Sequence, residues 1–394
     1  MDSAGSAGDT RGVPATRWEL DRLVKDVMRI GSRALPREEY FAEVGARLRR
    51  VVSVDAACWH TVDPQTRLIT SDAPRELVSE GVFGPDAVAA AGATLIASEY
   101  FVKDVNTFAQ LASRRVPAAT LSQAAGGHPE RSARYRELLA PSGIPHELRA
   151  AFVTRGRCWG AVHLARREHR AGFTAGDVAA LASVAGAVAE GIRASLCFDA
   201  GRRADTTAPG LVVLGPSDDV ELITASAREL LAAMSSSAHD EDEETPPSPI
   251  LALAAFARTG ADHPDPRPSA VAVPSSIGWI TLHASLPDGP TAGRVAIVLE
   301  RATTPQSTAV RLEAHGVTAR EREIAALLAR GLTNPEIARE LVLSPYTVQD
   351  HIKSLFEKTG VSSRQELVAR VFLDDYLPQL GARRPLAAGG SFAA

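Results

Sequence analysis

The sequence predicts a multidomain α+β protein, with two modules of mixed sheet and helix followed by an all-α domain of four helices. The length, 394 residues, exceeds what one ordinary hydrophobic core serves, so two or three domains are expected. Period-two apolar alternation and helical spacing are interleaved up to about residue 303, and beyond it only helical spacing remains. Two stretches of linker composition, GRRADTTAPG and TTPQST, fall where those patterns lapse.

Residues 1–17 are small and polar and are expected to be disordered. In the first module, 18–197, WELDRLVKDVMRI places Leu20, Leu23, Val24, Val27 and Met28 on one helical face. PREEYFAEVGARLRRVV follows, with Pro36 at a first-turn position and a face of Phe41, Val44 and Leu48. AACWHTVD and RLITSD, joined by turn residues, read as a hairpin. A helical middle spans 87–140, and LRAAFVTRGRCWGAVHLAR then reads as two strands around TRGR. Thr174 is a plausible N-cap for a long apolar helix through Leu196. That helix contains the longest apolar stretch, interrupted by Asp177, Glu190 and Arg193, and reads as buried helix rather than membrane span.

After a linker at 198–208, the second module runs from 209 to 303. LVVLGPSDDVELIT reads as a hairpin, ASARELLAAM as a helix, and 235–249 as an acidic loop. ILALAAFA is a further helix, and IGWITLHASL and GRVAIVLERA are strands. A linker at 304–310 leads to the C-terminal domain, 311–377, and a flexible tail, 378–394.

The C-terminal helices are unusually well punctuated. Thr318-x-x-Glu321 and Thr333-x-x-Glu336 are capping boxes, and Gly331 closes the first helix. Ser344, followed by Pro345, caps the third helix, Gly360 ends it, and Ser363-x-x-Glu366 opens the fourth. Buried faces are expected from Ile324, Leu327 and Leu328, from Ile337 and Leu341, from Val348, Ile352, Leu355 and Phe356, and from Leu367, Val368 and Val371. A short second helix joined tightly to a third is the helix-turn-helix plan, in which the third helix enters the DNA major groove. Its outward residues Tyr346, Gln349, Asp350 and Lys353 are then base-facing. The Gln amide can pair with adenine and the Lys ammonium with guanine. Thr333, Asn334, Ser344, Thr347, Lys358 and Arg364 are expected to position the domain on phosphates.

VTAREREIAALLARGLTNPEIARELVLSPYTVQDHIKSLFEKTGVSSRQELVA resembles the LuxR-type helix-turn-helix domain. The matching residues include Thr318, Arg320, Glu321, Glu323, Gly331 to Asn334, Glu336 to Ala338, Leu343, Ser344, Thr347, Val348, His351, Gly360, Val361 and Arg364. The resemblance implies DNA binding as a homodimer. Gln349 stands where the family often has Lys or Arg, which bears on the target sequence. Residues 18–197 resemble a GAF sensory domain, chiefly in CWGAVHLAR and FTAGDVAALASVAGAVAEGI. Residues 209–303 resemble a PAS-like module.

Net charge is −4, so any affinity for nucleic acid must be local. Cys58, Cys158 and Cys197 are far apart, with neither zinc nor disulfide spacing, which favours a reducing cytosol. The N-terminus lacks an apolar h-region, so no signal peptide is expected. No P-loop, G-x-S-x-G or H-E-x-x-H is present, so no enzyme, cofactor or metal is expected. Cys58, Cys158, His60 and His163 read as core residues rather than redox or haem groups, and His351 as structural. The expected function is a cytoplasmic DNA-binding transcriptional regulator. Its partners are double-stranded DNA, a second copy and an unknown small-molecule or protein signal at the GAF-like domain, with RNA polymerase a further candidate and no membrane. The alternative is a small-molecule-binding or scaffold protein whose helical end contacts protein.

Overall fold

A computed structural model describes residues 16–33, 35–64, 66–71, 85–199, 208–234, 246–259, 270–287, 293–301, 316–329 and 331–368. The expected disordered N-terminus up to residue 15, most of both linkers, most of the acidic loop, the tail and Val371 lie outside the described residues.

Helix α1 (Arg17–Gly31) starts at a capping box in which the Glu19 amide donates to Thr16 Oγ1 and the Thr16 amide donates to Glu19. Leu23, Val27 and Ile30 are buried, but Met28 is 60% exposed. Met28 follows Val27 by about 100° around the helix, which turns it off the stripe that meets the core. In α2 (Arg37–Leu48), Pro36 is the N-cap rather than a first-turn residue. Tyr40 joins the expected Phe41, Val44 and Leu48 inside.

Strand β1 (Ala56–Thr61) does not form the expected hairpin with RLITSD, which contributes only an isolated bridge, Val62 to Ile69. Asp63 accepts from the Thr66 amide and hydroxyl, and Arg67 takes a left-handed φ of 62°, so the returning chain cannot stay extended. β1 pairs instead with β4 (Arg157–Arg166). The expected helical middle contains α3 (Pro85–Tyr100), α4 (Phe108–Ala112), α5 (Leu121–Ala124) and two further helical turns at Pro129–Arg131 and Tyr135–Leu139. It also contains an unanticipated strand, β2 (Ala118–Thr120), too short to leave an alternation pattern. β3 (His146–Thr154) and β4 form the expected hairpin, turning through Arg155 and Gly156, both at positive φ. The antiparallel order is β1-β4-β3-β2.

Helix α6 (Ala175–Asp199) is capped by Thr174, whose hydroxyl accepts from the Asp177 amide. By length and composition Ala175–Leu196 could cross a membrane. Here its inner side is buried with α1, α2 and the sheet, around Trp59, Phe152, Val162 and Leu164. Tyr40 Oη donates to the Val188 carbonyl over Gly191, where a Cβ would stand 2.0 Å from that hydroxyl.

The second sheet takes β5 (Gly210–Leu214), β6 (Val220–Ile223), β7 (Ala270–Ser275), β8 (Gly278–Ser285) and β9 (Val295–Arg301) in the antiparallel order β6-β5-β9-β8-β7. β7 was not anticipated, because its run ends in Pro274. It lies at the sheet edge, where a missing N–H is tolerated. α7 (Ala225–Met234) and α8 (Ser248–Thr259) cover Val212, Leu214, Ile280, Leu282, Ile297 and Leu299. The modules meet where Tyr100 and Phe101 contact Phe256, at 5.3 and 5.0 Å between ring centroids, and where Arg37 donates to the Pro274 carbonyl.

The face of the first sheet opposite α6 is buried yet polar. Arg134 donates to both oxygens of Glu147 at 2.8 Å and lies 3.5 Å from Asp104. Arg149 pairs with Glu99 at 3.0 Å. Burial alone would raise the Glu147 carboxyl, but Arg134 and its neighbours outweigh it and hold it at about 2. Burial, with nearby Arg149, lowers His60 to about 3, and burial lowers His163 to about 4. Cys58 is buried and Cys158 partly so, and neither is in a disulfide.

Candidate nucleic-acid interface

Four helices build the C-terminal domain: α9 (Ala319–Ala329), α10 (Asn334–Glu340), α11 (Pro345–Thr359) and α12 (Arg364–Val368). Both capping boxes form: the Thr318 amide donates to Glu321 and the Thr333 amide to Glu336, each at 2.7 Å. Ser344 accepts from the Thr347 amide and Gly360 ends α11 at φ 66°. At α12 the Ser363 hydroxyl accepts from the Glu366 amide, while the Glu366 carboxylate closes on Ser362 rather than on Ser363. The core joins Ile324, Leu328, Ile337, Val348, Leu355 and Leu367, with Leu341, Ile352 and Phe356 packed at its margin.

Beyond α10, Val342 takes φ 53°, and the Leu343 amide donates back to the Ala338 carbonyl. This tight turn sets α11 against α10. Arg320 braces it by donating to the Leu341 carbonyl at 2.6 Å.

With Val348 and Leu355 inside, helical spacing turns the other side of α11 outward. Tyr346, Gln349, Asp350 and Lys353 are all exposed, at i, i+3, i+4 and i+7. No described residue pairs with Lys353. Ser344 at the start of α11 and Thr333 at the start of α10 are exposed, and Asn334 and Thr347 are half-buried. The Thr333 hydroxyl donates to Glu336 at 2.6 Å.

The structure places Lys358 and Arg364 differently from the phosphate-facing expectation. Lys358 Nζ donates to both Glu321 oxygens at 2.7 and 2.6 Å, and Arg364 donates to the Leu332 carbonyl. Ser354 adds a third donor to Glu321 at 2.7 Å. Burial would raise the Glu321 carboxyl, but Lys358, the Thr318 amide and Ser354 outweigh it and hold it at about 2. Sequence reasoning missed this clamp, although helical geometry pointed to it. Five residues separate Lys358 from Lys353, about 140° around a helix, so the two cannot share a face. His351 is half-buried, and no metal-binding cluster occurs among the described residues.

Residues 315–371 match the family GerE, bacterial regulatory proteins, luxR family. Over 56 residues the chain is 52% identical to the transcriptional regulatory protein UhpA of Escherichia coli (strain K12), which covers 14% of this chain and 29% of that protein. It is 47% identical over 53 residues to the probable transcriptional regulatory protein NarL of Mycobacterium tuberculosis (strain H37Rv), covering 14% and 24%. The chain therefore spans less than a third of the length of these curated relatives. The solved phage VqmA–DPO complex aligns with 43% of this chain and 82% of that chain at 20% identity and a TM-score of 0.22, too low to define a shared fold. The C-terminal domain, residues 315–371, is a helix-turn-helix domain of the bacterial regulatory luxR family.

Proposed function

We propose that the protein is a cytoplasmic, sequence-specific transcriptional regulator that binds promoter DNA as a homodimer through α11, under the control of its two N-terminal modules. One observation carries this: in a luxR-family domain, Tyr346, Gln349, Asp350 and Lys353 form an exposed stripe on the helix that follows the tight turn. The reading of 18–197 as GAF-like is supported by an antiparallel sheet between two helical layers. That of 209–303 as PAS-like is supported by its hairpin, two helices and paired strands gathered in one sheet. A signal at the first module shifts dimerisation or release of the C-terminal domain, and so operator occupancy. RNA polymerase is a candidate partner of the DNA-bound dimer. Dimerisation resides mainly in 18–303, with α12 adding to it.

Phosphate positioning falls to Asn334, Ser344 and Thr347 and to backbone N–H groups at helix starts, with Lys358 and Arg364 holding the domain together. Lys353→Ala is expected to weaken operator binding by about 1–3 kcal/mol with the fold unchanged, because its side chain leaves the core untouched. Fluorescence anisotropy on an operator found by genome-wide occupancy mapping measures this, and wild-type affinity would refute the placement of α11. Gln349→Arg is expected to favour guanine at one operator position. Selection from a random DNA pool reads this directly, and an unchanged consensus sinks it. Affinity should fall steeply with salt. Salt-insensitive or absent DNA binding would favour instead a protein-contacting helical end, the reading that exposed Asp350 and Glu357 support.

A further inference from the structure

We propose that Glu99, at the joint between the two N-terminal modules, is a proton switch: it binds one proton from solvent, releases Arg149 and loosens the contact of Tyr100 and Phe101 with Phe256. The proposal rests on reading the first module as the controller of the C-terminal domain, and names the proton as the signal it takes.

Three carboxylates share one buried face. Residues paired across antiparallel strands point to the same side, as do alternate residues along a strand. Arg149 is paired with His163, and Glu147 lies two residues before Arg149. His163 is paired with Cys58, two residues before His60. The opposite face carries Trp59, Phe152, Val162 and Leu164 under α6. Against the polar side the helical middle brings Glu99 near the end of α3, then Asp104 and Arg134. The side chains of Arg134, Asp104 and Glu147 are fully buried, and those of Glu99, Arg149 and His163 are 3% exposed. Three carboxylates thus face two guanidinium groups, while burial keeps both imidazoles neutral. The cluster carries one negative charge in excess, where an unmatched charge is costly. One proton removes that excess.

Donors decide which carboxylate takes it. Glu147 receives two Arg134 bonds at 2.8 Å, with His163 Nε2 3.3 Å away. Asp104 accepts from the Val105 amide at 2.7 Å and from the Arg134 amide and Ser132 hydroxyl at 3.0 Å, with Arg134 Nη1 3.5 Å away. Glu99 accepts from the Phe108 amide at 2.6 Å and from a single Arg149 nitrogen at 3.0 Å. A carboxylate keeps its charge through its donors, so the one with fewest yields it first. The titration directions agree. Burial raises Glu99 above 4.5 against the pull of Arg149 and Arg134, whereas at Glu147 Arg134 and its neighbours outweigh burial and hold it at about 2. Burial holds His60 at about 3 and His163 at about 4, and raises Tyr100 and Cys158, which also feel Glu99. As pH falls, Glu99 is therefore protonated ahead of Glu147 and both imidazoles. The folded chain binds this proton more tightly than the unfolded chain. That gain is complete below about 4.5 and is lost as pH rises through the folded value.

Protonation cancels the charge that holds Arg149 Nη2 to Glu99 Oε2. Arg149 keeps the Asn106 carbonyl at 2.9 Å and the Phe108 ring at 3.6 Å, and two cations then face two carboxylates. Asn106 Oδ1 and His60 Nδ1 are buried without partners among the described residues, and each is an acceptor for the new hydroxyl. Glu99 directly precedes Tyr100 and Phe101, whose rings meet Phe256 of the second module at 5.3 and 5.0 Å. The end of α3 is thus tied to the cluster on one side and to the second module on the other, so losing the Arg149 pair frees the joint.

The test uses the full-length protein, with circular dichroism to confirm that it stays folded. Infrared difference spectra between about pH 8 and about pH 5 should show one buried carboxylic acid forming in the wild type and none in Glu99→Gln, which mimics the protonated state. Amide hydrogen exchange in residues 97–102 and 252–258 should be at least about tenfold faster in Glu99→Gln than in the wild type at the higher pH. Wild-type operator affinity should differ about fivefold or more between the two pH values, and that of Glu99→Gln should not. If Glu99→Gln does not fold, ¹³C-glutamate labelling of the wild type assigns the acid band without a variant, since Glu147 stays ionised throughout. The switch is overturned if no acid band forms, if the band survives in Glu99→Gln or ignores the label, or if exchange at the joint is unchanged. Operator binding that ignores pH overturns it too. An acid band at Glu99 and a loosened joint, with no operator binding at either pH, supports the proton site and defeats the regulator assignment instead.

Discussion

Arg134→Ala is expected to destabilise the first module by about 3–5 kcal/mol, a large part of what a domain has to lose. The Arg134 side chain is fully buried and donates to both Glu147 oxygens, with Asp104 3.5 Å away. Asp104 also accepts from the Arg134 amide and the Ser132 hydroxyl, so the loop is moored at the same point. Truncation strands buried carboxylates without their counter-ion, and the cost lies in that stranding rather than in the pair's own worth. Arg134→Met combined with Glu147→Leu should therefore recover much of the loss. Urea denaturation of the three proteins decides; a cost below about 1 kcal/mol for the single variant would show the network to be wet.

The same network sets the acid response. Glu147 has its folded value lowered from 4.5 to about 2, so its contribution is complete above about 4.5 and lost as pH falls through about 2. His60 and His163 are lowered from 6.5 to about 3 and about 4, so the unfolded chain takes up their protons first. The stability they lend is complete above about 6.5 and declines toward their folded values. The first module should begin to weaken below about pH 6.5.

Glu321→Ala is expected to cost the C-terminal domain about 2–3 kcal/mol and, in so small a domain, to remove DNA binding by melting it. One carboxylate closes the cap of α9, receives Ser354 and neutralises Lys358 of α11. Its loss frees the helix that carries the base-facing stripe. Thermal melting of the variant separates this from a contact defect, since Lys353→Ala should lose binding without losing its melt. Because Glu321 is lowered from 4.5 to about 2, its contribution persists down to about pH 4.5 and is lost as pH falls through about 2. Acid should therefore weaken the first module before this clamp. An unshifted melting temperature for Glu321→Ala would show that the clamp carries no stability.

The C-terminal domain was the most legible part of the chain, because its signals are local. Thr318 with Glu321, Thr333 with Glu336, Ser344 and Gly360 each act within a few residues, and the structure forms each of them. Most helices of the N-terminal modules, and the β3–β4 and β5–β6 hairpins, were readable for the same reason. Strands β2 and β7 were not: one is three residues long, and the other carries a proline that only an edge position excuses.

By itself the sequence determined where the capped helices of the last domain begin, most of the apolar faces, and that this domain resembles the LuxR type, because capping and periodicity are written between near neighbours. Only the tertiary structure decided that β1 pairs with β4, and that Met28 is turned out. It also decided that a buried polar face lies opposite α6, and that Lys358 and Arg364 are consumed inside their domain while Lys353 is not. The reason is physical: strand partners and counter-ions are chosen by proximity between residues distant in sequence, and a basic side chain's chemistry depends on whether the fold has already given it an acceptor.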